Sequence, residues 1–249
     1  MLLVVWTAFS QKESVENILM KSKHLLKSAV DHADGLLYHQ AQQMLEPFSV
    51  DSRHAALVHY YIGYIHYQMG VVVEQLDKDR AVAYLDSAVE HLQMAIDINK
   101  DFADAYALLS SCYGIKIGFS PMKAIFLGPK LGSAIEKALE LEPGNPRVVL
   151  LDAIRKYNTP ALFGGGKDKA LQGFKQAAEL FNKWTESDSL RPSWGREETY
   201  AWMGIAYMDR EENMLAKKAF EKAMEINPNY GWVKYVLMPK LQNKLRNSQ

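Results

Sequence analysis

Residues 197–230 read EETYAWMGIAYMDREENMLAKKAFEKAMEINPNY. Tyr200, Met203, Gly204 and Tyr207 recur at the spacing of one face of an α-helix, and Ala216, Phe220 and Ala223 do the same for a second helix. Gly204 and Ala216 are small enough to let two such helices approach closely, and Phe220 fills the gap left between them. Pro228 cannot continue the second helix and marks where the next unit starts. The stretch therefore predicts an antiparallel pair of helices held by one large ring against one missing side chain.

The positions match W-x2-L-G-x2-Y, A-x3-F and P, a helix-turn-helix pattern about 34 residues long. Tyr200 stands for the Trp and Met203 for the Leu. The chain thus resembles the tetratricopeptide repeat (TPR) family. That resemblance implies an all-α solenoid of helical hairpins wound as a right-handed superhelical arc with a concave inner face.

Weaker copies extend in both directions. AALVHYYIGYIHYQMG, with Gly63 in the role of Gly204, pairs with AVEHLQMAIDIN, where Ala88, Leu92 and Ala95 recur. This unit is thirteen residues longer than the one at 197–230, so both its helices should be lengthened. In the next unit, Tyr106, Leu109, Ser110 and Tyr113 match the first helix, and Leu131, Ile135, Ala138 and Pro143 the second. Pro121 and Gly128-Pro129 predict a structured loop between them. A fourth unit starts at Asn145-Pro146-Arg147 and places Ala170, Phe174 and Ala177 on its second helix. Residues 12–30 and 35–45 read as an atypical opening pair, with Asp31 or Asp34 as a cap. Residues 230–246 read as a closing helix, kinked or broken near Pro239.

The 249 residues carry 29 basic and 29 acidic side chains. A zero balance offers no overall field for nucleic acid or an anionic membrane. The single cysteine, Cys112, excludes an internal disulfide or a cysteine-based zinc site, and its apolar neighbours mark it as an inert buried thiol. Leu2–Phe9 is apolar but too short to span a bilayer. Ala8-Phe9-Ser10 has the small-x-small form of a signal peptidase site. Residues 1–10 are thus expected to be the remnant of a secretory signal cleaved after Ser10. Residues 11–249 then form a single repeat domain, periplasmic or secreted, or cytoplasmic if the N-terminus is structural.

Candidate chemistry is sparse. Gly164-Gly165-Gly166-Lys167 invites a phosphate-loop reading, but the positions that a Walker loop needs hold Ala161 and Asp168, and no strand precedes it. A tight interhelical turn explains it better. His59 and His66, like His32 and His39, lie two helical turns apart, ~10.5 Å, and cannot share an ion. No catalytic constellation, metal site or cofactor motif is present, which predicts a non-enzymatic protein without cofactors.

The resemblance instead directs attention to the concave face. The ligand-facing positions of a TPR map onto Tyr60, Tyr64 and Tyr67 in one unit, Arg147, Tyr157 and Asn158 in another, and Met208 and Asp209 in the last. Tyrosine combines a large contact area with one polar tip and suits recognition of a protein or peptide partner, unless these rings pack on the N-terminal helices instead. The basic and asparagine carboxylate clamp of chaperone-binding TPR domains is absent. NPR at 145–147, the run from Pro160 to Ala170 and PSWG at 192–195 look like exported bacterial TPR proteins. A looser resemblance, a Gly-Gly turn before a helix, is to the T-component of TRAP transporters, which implies the alternative of a periplasmic small-ligand or transport accessory protein. An open trough would favour a peptide; a closed pocket lined by Tyr and Arg would favour a small ligand.

Overall fold

The computed structural model describes residues 13–50 and 53–247, so the expected signal segment at 1–10 lies outside the described residues. All regular structure among the described residues is helical. Five antiparallel hairpins follow one another. They are α1 (Val15–His32) with α2 (Gly35–Leu45), α3 (Ala55–Val73) with α4 (Lys78–Ile98), and α5 (Ala103–Phe119) with α6 (Ala124–Leu141). Then come α7 (Pro146–Asn158) with α8 (Lys167–Lys183), and α9 (Arg196–Asp209) with α10 (Asn213–Ile226). A π-helical turn (Trp232–Leu237) and α11 (Met238–Arg246) close the chain.

The nesting expected from sequence is present. A Cβ added at Gly204 would sit 2.2 Å from the Phe220 ring, and Phe220 is fully buried. Gly63 plays the same part against Leu92, at 2.8 Å, and Gly70 repeats it against Leu85 at 3.1 Å. That second contact continues the seam through the lengthened α3–α4 hairpin. In α7–α8 the roles are exchanged: Gly173 on the second helix meets Ala153 on the first, at 2.8 Å. Where Ser110 replaces the glycine in α5, its hydroxyl donates to the Leu131 carbonyl at 3.0 Å, so the close approach there leaves no unpaired polar group.

One proline expectation is corrected and a second is narrowed. Residues 128–129 are not a loop: α6 begins at Ala124 and runs through Pro129. A proline this close to a helix start forfeits one backbone bond, and the flanking Ala124–Phe126 turn is exposed, so water can take the freed carbonyl. Near Pro239 the closing helix is distorted and not broken: a π-helical turn leads straight into α11, and Pro239, which lacks an N–H, sits where the hydrogen-bond ladder changes type. The Asp34 carboxylate caps α2, accepting from Leu36 N at 2.8 Å and Leu37 N at 3.4 Å. Asp31 does something else.

Asp31, near the end of α1, accepts a hydrogen bond from Asn227 Nδ2 at 2.6 Å, 196 residues away. Asn227 also reaches Glu197 at 3.1 Å, and Gly231 lies so close that a Cβ would stand 2.4 Å from the Asp31 carbonyl. Val30 packs against both hydrophobic cores, one built from the first three hairpins and the start of α7, the other from α7 onward. The first helix therefore meets the last hairpin, and the arc bends round until its ends touch.

Candidate functional site

The concave face is occupied by the chain itself. Between α8 and α9, residues 184–195 cross the inner surface. Tyr61 Oη donates to the Leu190 carbonyl at 2.6 Å, and Trp194 Nε1 donates to Tyr60 Oη at 2.9 Å. The Trp194 indole stacks on Tyr64, centroids 5.2 Å apart and 13° from parallel. From α1, Lys23 Nζ donates to the Arg191 carbonyl at 2.6 Å and to the Ser189 carbonyl. Arg191 in turn pairs with Glu142 at 2.9 Å and with Asp104 at 3.6 Å. Gly195, at φ 105°, turns the strap into α9, and a side chain there would meet Phe181 at 3.0 Å.

Beneath the strap is a buried ionic centre. Arg147, 1% exposed, pairs through Nε with Asp104 Oδ1 at 2.6 Å, reaches Glu186 at 3.5 Å and lies 5.7 Å from the Trp184 ring centroid. Asn145 donates to both Asp104 and Glu142, at 3.2 and 2.8 Å. A buried ion pair is weak evidence for stability, but it fixes geometry strongly because breaking it strands a charge in a dry site.

The sequence-derived site residues thus separate into groups. Tyr60, Tyr64 and Tyr67 are buried, and burial raises all three phenols well above their ordinary pKa, so they act as neutral groups. Tyr60 and Tyr64 grip the strap, and Tyr64 and Arg147 also line the remaining cleft. Tyr157 and Asp209 do come together, but at the α7–α8 edge. There the Tyr157 hydroxyl donates to Asp209, and Lys167 pairs with Asp209 at 2.5 Å. Asn158 is exposed and spends its amide on the Ile154 carbonyl at 2.9 Å. Met208 is buried in the core.

What the strap leaves open is a cleft of about 380 Å³, bounded by α1, α3, the strap and the start of α9. Its apolar walls are Leu26, Val30, Phe181 and the rings of Tyr61, Tyr64, Trp184 and Trp194, and its charged rim is Lys23, Lys27, Arg196, Asp31, Glu186 and Glu197. The Trp184 indole N–H is buried without a partner. Nearby, Glu198 is pushed up to about 7, by burial first and by Glu197 second. Trp184, Trp194 and the α1 lysines are not among the residues expected from sequence. The signal that could have found them is two tryptophans in a polar stretch that holds three serines and a proline.

Elsewhere, Cys112 is fully buried and burial pushes its thiol upward, as an inert thiol should be. His59 and His66 are joined by His91 from α4, with His59 Nδ1 3.0 Å from His91 Nδ1 and His66 stacked on His91. Even so, among the described residues no group of three or more His, Cys, Asp or Glu is placed to hold a metal ion.

No protein-family model and no curated protein matches this sequence. Solved structures do. The HusA haemophore from Porphyromonas gingivalis superposes with a TM-score of 0.66 at 20% identity, over 80% of this chain and 96% of that one. TTC0263, a thermophilic TPR protein in Thermus thermophilus, gives 0.65 at 16% identity, over 92% and 98%. At this identity the likeness concerns fold alone. Together with the five nested hairpins, it establishes a TPR-type all-α solenoid.

Proposed function

We propose that this chain is a non-enzymatic binding protein whose ligand is compact, held in the cleft under the strap, rather than an extended peptide laid along an open groove. The observation that carries this reading is the strap itself. Residues 184–195 already make the contacts with Tyr60, Tyr61 and Tyr64 that an extended partner would need. An extended peptide must first expel them, whereas a compact ligand can enter a cleft of about 380 Å³ as it stands, within the usual range for small-molecule sites, roughly 300–1,000 Å³. Stacked aromatic walls with lysine and arginine at the rim suit a flat apolar body bearing an acidic group. The similar fold described as a haemophore makes haemin the natural first probe. The expected periplasmic or secreted location is consistent with a ligand carrier.

Haemin titration, followed by quenching of tryptophan emission, tests this. Wild type should bind, and Trp194→Ala should weaken binding about tenfold or more by removing both the stacked wall and the strap's anchor. If haemin fails to bind and W194A instead gains affinity for an extended peptide library, the groove is a peptide site and the compact-ligand reading is wrong.

A further inference from the structure

Five large apolar side chains stand in solvent on two neighbouring turns. In the α5–α6 turn, Met122, Ile125 and Phe126 are 81%, 74% and 76% exposed; in the α7–α8 turn, Leu162 and Phe163 are 88% and 73% exposed. Both turns follow the first helix of a hairpin, and α5 packs on α7. The two therefore lie at the same end of two adjacent first helices, on one edge of the solenoid. Single exposed apolar residues need no explanation, but a cluster of this size does.

These side chains are held in place by ordered backbone. Each turn opens with a proline and a 3₁₀ segment, Pro121–Lys123 and Ala161–Phe163. In the second, Phe163 N bonds Pro160 O at 2.9 Å, Gly164 N bonds Ala161 O at 3.0 Å, and Gly166 N bonds Lys156 O at 2.9 Å. The glycine run serves this turn: Gly164 and Gly166 have φ of 84° and 122°, and a Cβ at Gly165 would fall 1.9 Å from the Thr159 carbonyl. The backbone is fixed while its largest side chains face water.

Charge is segregated here too. Segments 116–130 and 155–169 hold seven basic residues and one acidic one, Asp168, within a chain that is neutral overall. Lys116 pairs with Asp86, Arg155 and Lys156 with Asp152, and Lys167 with Asp209. Lys123, Lys130 and Lys169 have no carboxylate partner among the described residues and lie in the same two segments as the apolar tips. The neighbouring α3–α4 and α9–α10 turns are more acidic, with Glu74, Asp77 and Asp79 beside Lys78 and Arg80, and Asp209, Glu211 and Glu212 beside Arg210.

We infer that this edge docks onto an anionic lipid surface, with Phe126, Phe163 and their apolar neighbours entering the headgroup–acyl boundary and these three lysines pairing with lipid phosphates. Apolar side chains at the tips with lysines in the same segments match what such an interface requires. No helix among the described residues is long and apolar enough to cross a bilayer, so the contact is one of surface docking. The near-zero net charge conceals it because acidic residues are concentrated elsewhere.

Co-sedimentation with vesicles of phosphatidylcholine alone, and of phosphatidylcholine mixed with phosphatidylglycerol, tests the inference at low and physiological salt. Wild type should sediment with the anionic vesicles and stay in solution with the neutral ones. The double variants F126S/F163S and K123E/K130E, all at exposed positions, should each lower the bound fraction about tenfold while keeping the helical circular dichroism of wild type. Absence of binding to anionic vesicles at low salt would overturn the inference, as would F126S/F163S binding as well as wild type. A dimer in size-exclusion chromatography that F126S/F163S turns into a monomer, without vesicle binding, would assign the edge to a second copy of this chain instead.

Discussion

Glu198 is a carboxyl whose chemistry departs far from its type. Burial and the adjacent Glu197 push its carboxyl up to about 7, and its charge lies near enough to the phenols of Tyr64, Tyr67 and Tyr230 to help raise each of them, after burial. A raised acid binds its proton in the folded state before it does in the unfolded one. Its effect is therefore to lower stability as pH rises from the ordinary 4.5 through about 7. His66 works in the opposite sense. Burial first, and His91 second, depress it from 6.5 to about 4, so its contribution is lost as pH falls through that window. Glu198→Gln should consequently raise stability by up to about 3 kcal/mol at pH 8 and change it little near pH 4.5. Thermal melts of both proteins across pH would read this directly; equal shifts at both pH values would show that Glu198 ionises normally. Nothing in the sequence singles out Glu198, because the Tyr64 and Tyr67 phenols it lies near belong to α3, more than a hundred positions earlier. Arg147 and Asp104 are more legible: each is a lone charge in an apolar helix start, and such charges are rarely buried unless paired.

At the scale of the helical hairpin, the governing contact is a large side chain against a missing one. Gly204 has no room for a methyl group beside Phe220. Gly204→Ala should cost about 1–3 kcal/mol through overpacking, and Phe220→Ala about 3–5 kcal/mol through the cavity it leaves. Because both changes act on one contact, the double variant should be less destabilised than the two single effects added together. Urea denaturation of the three variants measures this coupling, and simple additivity would mean the two residues do not share a contact. This contact is readable at 197–230 because the spacing is local and periodic. Gly70 against Leu85 and Gly173 against Ala153 escape the same reading, the first because the hairpin is lengthened and the second because the small residue changes helices. The loop expected at 128–129 and the break allowed at 239 are absent for a related reason. Both expectations weigh the residue type and not its setting: Pro129 costs α6 one bond whose carbonyl lies in an exposed turn, and Pro239 falls where a π-helical turn passes into α11.

At the scale of the whole molecule, the sequence predicts an arc with a concave face and leaves open whether that face is an open trough or a closed pocket; the chain closes it with its own residues. The two devices responsible are the strap at 184–195 and the contact of Asp31 with Asn227 and Gly231. Both join residues more than a hundred positions apart, so neither leaves a periodic trace. Of the tyrosines expected on the concave face, Tyr60 and Tyr64 find their partner in Trp194. The central claim is therefore that this tryptophan is locked onto α3. Hydrogen exchange of the tryptophan indole N–H groups, followed by NMR and assigned with Trp194→Phe, tests it most directly. The Trp194 N–H, bonded to Tyr60 Oη at 2.9 Å, should exchange at least about tenfold more slowly than a solvent-exposed indole and lose that protection in Tyr60→Phe. An indole that exchanges as fast as one in open solvent, or that is indifferent to Y60F, would mean that the strap does not close the groove.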